Sequence, residues 1–125
     1  MPLRTGLAGR ATLTVSQEDT AVALRSGAVA VLGTPRVVAL AEEATCRAVE
    51  DELEPEQTTV GMRVQLDHLA PSGVGARVTA EATLERVEGR RLVFTVSVSD
   101  DHGLIAAGKI TRVVVETERF LKRVQ

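Results

Sequence analysis

The chain has 125 residues, 44% hydrophobic and 26% charged, with a formal net charge of −2, a composition that suits one folded domain with a single core. Two phenylalanines, no Trp or Tyr and no basic stripe argue against nucleic acid as a partner. The apolar runs are short and interrupted by charge, and Met1-Pro2-Leu3-Arg4 leads into no signal-peptide core. A lone Cys46 supports neither a disulfide framework nor a metal cluster, so a cytoplasmic protein with no membrane partner is expected.

Gly9 to Val15 alternates, with Ala11, Leu13 and Val15 on one parity, and reads as a first strand. Ser16 to Ser26 admits two readings: Asp19-Thr20 can cap a short helix, or Ala21-Val22-Ala23-Leu24 can run extended. A strand or an irregular extended piece is expected there. Gly27 to Leu32 is a flexible apolar connection into the first clear helix.

Thr34-Pro35 is a strong helix start. A Thr side chain can accept from an orphan amide of the first turn, and Pro at the first helical position gives up only an unpartnered amide. The pattern predicts a helix over Pro35–Leu53 that ends before Pro55. At 100° per residue, Val37, Leu40, Ala41, Ala44, Thr45, Ala48 and Val49 form one wide apolar arc. Glu43, Arg47 and Glu50 fall opposite, towards solvent. Glu42 falls on the margin of the arc, where a structural helix needs no carboxylate.

Four strands are predicted next. Thr58 to Ala70 carries Val60, Met62, Val64 and Leu66 on one parity, with Gly61, Arg63, Gln65 and Asp67 on the other. Pro71-Ser72-Gly73 is a turn. Arg77 to Val87 sends Val78, Ala80, Ala82 and Leu84 inward, and Glu88-Gly89 makes a tight hairpin turn. Arg91 to Ser99 sends Leu92, Phe94, Val96 and Val98 inward. After a turn at Asp100-Asp101-His102-Gly103, Leu104 to Val115 is the last strand, and Glu118 to Val124 closes with a helical turn. One helix with a run of one-sidedly alternating strands predicts an α+β domain over residues 1–125, an antiparallel sheet curled around one central helix.

Polar residues on apolar parities mark the places to look for chemistry. His68 shares the parity of Val60 and Leu66. Arg112 follows Leu104, Ala106, Gly108 and Ile110 on one side, and a buried guanidinium needs an anion or acceptors. Glu42 is the third. Each has a plainer reading: Thr34 as a cap alone, Glu42 as a flank carboxylate paired with a strand arginine, His68 at a strand end, Arg112 as a structural partner of Glu42 or a solvent-reaching group at a dimer edge. Cys46 reads as a small core residue and His102 as a solvent-facing turn residue. Asp100 and Asp101 lack further ligands at calcium-loop spacing, so no metal is expected.

With these residues in hand, the chain resembles hot-dog-fold acyl-CoA thioesterases, closest to the fluoroacetyl-CoA thioesterase-like family. The family's Thr at the helix entry, its Glu eight positions on and its His twenty-six positions later fall on Thr34, Glu42 and His68. A family glycine seven residues before the His matches Gly61, an Arg on the last strand matches Arg112, and Val87-Glu88-Gly89-Arg90-Arg91-Leu92 resembles the family hairpin. The resemblance runs from Gly33-Thr34 to Glu118-Arg119-Phe120. The fluoroacetyl-specific form is expected to match from the helix onward only and carries an aromatic-rich lid before it; Thr20 to Leu32 here has no aromatic residue. A general acyl-CoA thioesterase is therefore expected.

The resemblance implies that Glu42 attacks the thioester carbonyl or activates a water, and that His68 handles protons. Thr34 orients Glu42 or the thioester, Gly61 allows close approach of the acyl group, and Arg112 stabilises charge near it. No metal or bound cofactor is implied, because coenzyme A is part of the substrate. It also implies a homodimer, possibly a tetramer, in which the Thr58–Ala70 strand pairs edge to edge. Arg63, Arg77, Arg90 and Arg91 are then candidates for the coenzyme A phosphates. The competing reading is a non-catalytic acyl-CoA or small-metabolite binding protein using the same pocket. A hot-dog hydratase is disfavoured, since its Asp-x4-His helix motif is absent.

Overall fold

Alternation in the sequence becomes a single antiparallel sheet whose strands run β1-β3-β4-β5-β2 across its width. The computed structural model describes residues 3–125, so the first two residues of the Met1-Pro2-Leu3-Arg4 start lie outside the described residues. The strands are β1 (Ala8–Thr14), β2 (Gln57–His68), β3 (Arg77–Glu88), β4 (Arg91–Asp100) and β5 (Gly103–Glu116). Helix α1 (Thr34–Val49) is wrapped by the curled sheet, and the short α2 (Thr117–Leu121) ends the chain together with a 3-10 turn over Lys122–Val124. The class is α+β. No helix among the described residues is long and apolar enough to cross a membrane.

The core forms where the two periodicities meet. Val37, Leu40, Ala41, Ala44, Ala48 and Val49 of α1 are buried against Val78, Ala80, Ala82 and Leu84 of β3 and Leu92, Phe94, Val96 and Val98 of β4. β1 comes so close to the helix that a Cβ at Gly9 would collide with the backbone of Ala44 and Ala48. A glycine is required there by contact.

The differences from the sequence pattern include two boundaries and one inward position. α1 ends at Val49 and not at Leu53, and Glu50–Glu52 tightens into a 3-10 turn. Three carboxylates at the negative end of a helix dipole disfavour further α-helix, and a 3-10 turn still satisfies trailing carbonyls. The hairpin turn falls on Gly89-Arg90, one residue later, with Gly89 at φ 62°. Leu104 is half exposed, because the β4–β5 register shifts between Val98 and Ser99 and Ile105 takes the core position.

Ser16 to Ser26 forms no strand, and its one helical turn is capped by a Ser16–Asp19 box rather than by Asp19-Thr20. Gln17–Asp19 is a 3-10 turn, and residues 20–33 form a strap closed at its base. Thr20 bridges Leu32, the Ala21 amide donates to the Val31 carbonyl at 2.8 Å, and the Gly33 amide donates to the Asp19 carbonyl at 2.9 Å. The Leu32 amide ties the strap to the Ser72 carbonyl at 2.8 Å.

The largest departure lies in β2. Pairing with β5 shifts between Gly61 and Arg63, so Met62 is an extra, bulged residue. Before the bulge Thr59 and Gly61 face the helix, opposite Val114 and Arg112; after it Val64, Leu66 and His68 do, opposite Ile110, Gly108 and Ala106. The predicted inward positions of Val60 and Met62 are thereby corrected: Val60 faces the other side, and Met62 is 49% exposed. The bulge also means that Gly61 and His68, seven positions apart, share a face.

Candidate active site

Two clusters of predicted site residues form, one at each end of β2. At the first, Gly33 rather than Thr34 caps α1: it is the extended residue before the helix, and its carbonyl accepts from the Arg36 and Val37 amides at 3.0 and 3.1 Å. No side chain caps this end. Thr34 is the first helical residue, and its hydroxyl lies 2.8 Å from Nδ1 of His68. If the hydroxyl donates, the ring proton sits on Nε2; if Nδ1 donates, Nε2 is left as a free base. In both cases Nε2 is the nitrogen that Thr34 leaves free, and it is buried without a partner within the described residues. An unpaired buried ring nitrogen is costly, which sets His68 apart from the other polar side chains among the described residues.

The second cluster surrounds Glu42. Arg112 is only 7% exposed and is held by Thr59, its Nε donating to Thr59 Oγ1 and its Nη2 to the Thr59 carbonyl, both at 2.9 Å. The remaining Nη1 donates to Glu42 Oε2 at 3.2 Å. The same oxygen lies against Gly61, where an added Cβ would come within 2.5 Å of it. Gly61 thus clears the space the carboxylate occupies, and Arg112 fixes its position. The Glu42 side chain keeps 32% of its surface open. Its neighbour Glu43 turns outward and accepts from Arg47 at 2.7 Å, as the helical wheel requires.

These clusters do not meet within one protomer. Eight residues of α-helix separate Thr34 from Glu42 by about 12 Å, and the six β5 positions between Arg112 and Ala106 set Gly61 and His68 about 20 Å apart. The structure brings Thr34 to His68, and Glu42 to Gly61 and Arg112. It does not bring Thr34 to Glu42; the Thr34 hydroxyl contacts the imidazole instead.

Beside the first cluster lies a cavity of about 290 Å³ between the strap and the end of β2, with Thr34 and His68 in its lining. The strap is anchored by Asp19, which accepts from the Ser16 amide at 2.8 Å, from the Ser16 hydroxyl at 2.9 Å and from Arg36 Nε at 3.2 Å. Burial pushes the Asp19 carboxyl up, but the Ser16 bonds and the Arg36 charge outweigh it and hold it below its ordinary value of 3.8. At the strap's other anchor the Ser72 hydroxyl donates to Asp100 at 2.7 Å. That bond, against burial and with help from the His102 amide, lowers the Asp100 carboxyl.

Sequence reasoning missed Thr59 and Asp19. Thr59 shares the face of Gly61, which simple alternation assigned to the outside. The one available signal was Arg112, whose burial demanded acceptors on the neighbouring strand. Asp19 stood in a segment without periodicity. Cys46 is half-buried on α1 and takes no part in either cluster.

Residues 15–118 match the family described as fluoroacetyl-CoA-specific thioesterase. The fluoroacetyl-CoA thioesterase of Streptantibioticus cattleyicolor is 37% identical over 95 residues, covering 76% of this chain and 68% of that protein. A solved structure of a fluoroacetyl-CoA thioesterase superposes with a TM-score of 0.93 at 31% identity, over 99% of this chain and 96% of that one. A hot-dog-like protein from Thermanaerovibrio acidaminovorans gives 0.89 at 33% identity, over 98% and 90%. The family match begins at residue 15, so the likeness extends upstream of α1 and the expected start at the helix is corrected. The chain belongs to the fluoroacetyl-CoA-specific thioesterase family and is a hot-dog-fold thioester hydrolase.

Proposed function

We propose that this protein hydrolyses acyl-CoA thioesters as a homodimer with two composite sites. Each site takes Glu42, Gly61 and Arg112 from one subunit and Thr34 and His68 from the other. The observation that carries this reading is the separation of two half-sites, each locally complete. Among the described residues, Nε2 of His68 lacks a partner and Glu42 has no base beside it.

The free edge of β2 supports the pairing. In antiparallel strands, directly opposed residues share a face. A two-fold axis at Gln65 opposes Val64 to the partner's Leu66 on the inner face and Arg63 to the partner's Asp67 on the outer face. The Met62 bulge then opposes Gly61 to the partner's His68, inner face to inner face. The register covers the exposed Val64 edge, matches opposite charges and completes the catalytic set.

In such a site Glu42 attacks the thioester carbonyl, or draws a proton from the water that does. The carbon–sulfur bond breaks, His68 delivers a proton to the departing thiolate, and water supplies the hydroxyl of the free acid. Thr34 holds the imidazole, and Arg112 keeps the carboxylate aimed. Coenzyme A enters as part of the substrate, and no metal or other cofactor takes part. The absence of any aromatic residue in the strap supports a general acyl-CoA substrate rather than fluoroacetyl-CoA alone.

Release of free thiol from a panel of acyl-CoA esters tests the activity. Turnover with several esters is expected. Tight binding of the esters with no thiol released would instead establish a non-catalytic acyl-CoA binding protein.

A further inference from the structure

Resting on the composite thioesterase reading, we infer that the cavity beside Thr34 and His68 receives the acyl group and selects an uncharged aliphatic chain of several carbons. Two-carbon and carboxylated acyl groups are its poor substrates.

The lining sets the chemistry. Ala21, Val29 and Val31 of the strap face Leu69 and Ala70 at the end of β2, and no Asp, Glu, Lys or Arg lines the space. A second carboxylate at the far end of an acyl chain would lose its hydration there against a lining that itself offers no cation. The nearest strap-anchoring cation, Arg36, is already engaged by Asp19.

The walls also carry unburied apolar surface. Val29 of the strap and Leu69 just after β2 both line this space and are each 61% exposed in the single chain. An aliphatic chain lying between them covers both, whereas an acetyl group reaches neither area in full. At about 30 Å³ for a water-sized group, the space of about 290 Å³ has room for a chain of several carbons. The cavity does not need to be built on binding, because the strap base is held by the Ala21–Val31, Leu32–Ser72 and Gly33–Asp19 backbone bonds.

The test is kcat/KM for acetyl-, butyryl-, hexanoyl- and octanoyl-CoA, with succinyl-CoA as the charged four-carbon comparison. The expected series rises about two- to four-fold per added methylene, the gain from burying one CH2, and succinyl-CoA is at least ten-fold poorer than butyryl-CoA. Val29→Asp flattens the series, and Val29→Leu preserves it. Hydrolysis that favours acetyl-CoA over hexanoyl-CoA, or treats succinyl- and butyryl-CoA alike, overturns this inference and leaves the thioesterase reading standing. Failure to hydrolyse any of the five overturns both.

Discussion

The Thr34 hydroxyl and Nδ1 of His68, 2.8 Å apart, tie the first turn of α1 to the last residue of β2. Because Gly33 is the cap, this hydroxyl is free to serve the imidazole, and its removal should be felt in catalysis more than in folding. Thr34→Ala should lower kcat while shifting stability by no more than about 0.5 kcal/mol, below the roughly 1 kcal/mol of a lost cap. Thr34→Ser should keep most activity. His68→Ala should cost about 10²-fold or more, and adding Thr34→Ala to it should cost little further, as for two members of one unit. Independent, multiplying losses would show that Thr34 acts elsewhere.

Adjacent glutamates on α1 should behave oppositely. Glu42→Gln keeps an oxygen for Arg112 and should leave the melting temperature near its original value while removing most turnover. Glu43→Gln breaks only a surface pair with Arg47, worth about 0.3–0.5 kcal/mol, and should leave activity intact. Equal activity losses in the two variants would contradict the assignment.

Gly61→Ala tests the close approach directly. The new Cβ would sit 2.5 Å from Glu42 Oε2, so the carboxylate must move off its Arg112 bond. Gly61 has no positive φ, so alanine fits the strand backbone itself. The expected variant folds, pairs its strands normally and loses at least ten-fold in kcat. Full activity would mean that Glu42 does not work from this position.

Acid should loosen the strap before the sheet. The carboxyls of Asp19 and Asp100 are both lowered in the folded protein, so their bonds contribute stability that is fully present above about pH 4. That stability is lost as pH falls through the depressed folded values, below 3.8. Hydrogen exchange at about pH 3 should show residues 20–33 opening while β3–β5 amides stay protected. A strap as protected as the sheet at that pH would remove Asp19 and Asp100 as its anchors.

The helix and β3 were legible because burial there is one-sided and unbroken: Val78, Ala80, Ala82 and Leu84 alternate without interruption, and the α1 arc is continuous. β2 was misread between Thr59 and Met62 because alternation carries no mark of an inserted residue, and one bulge exchanges the two faces. That exchange hid Thr59 and set Gly61 apart from His68. Thr34 looked like a cap because Thr-Pro is a helix-start pair, yet a glycine one position earlier serves with its backbone alone. Glu42, His68 and Arg112 stood out as polar residues at or on the margin of apolar faces, and Thr34 and Gly61 entered the set through the family resemblance; neither signal says which of them meet. Two clusters about 20 Å apart on β2 emerge only from the register with β5.

Subunit complementation tests the composite site most directly. Glu42→Gln and His68→Ala proteins, each inactive alone, are mixed, exchanged under mild denaturant and returned to buffer. If Glu42 works with the partner's His68, each mixed dimer holds one site with both residues intact. Random exchange makes half of the dimers mixed, so about a quarter of wild-type activity should return. Mixing Thr34→Ala with Glu42→Gln should restore activity likewise, whereas Thr34→Ala with His68→Ala should not. No recovery in the first mixture, with exchange verified by a mass tag on one variant, would contradict the account, because it would require Glu42 and His68 to act within one chain.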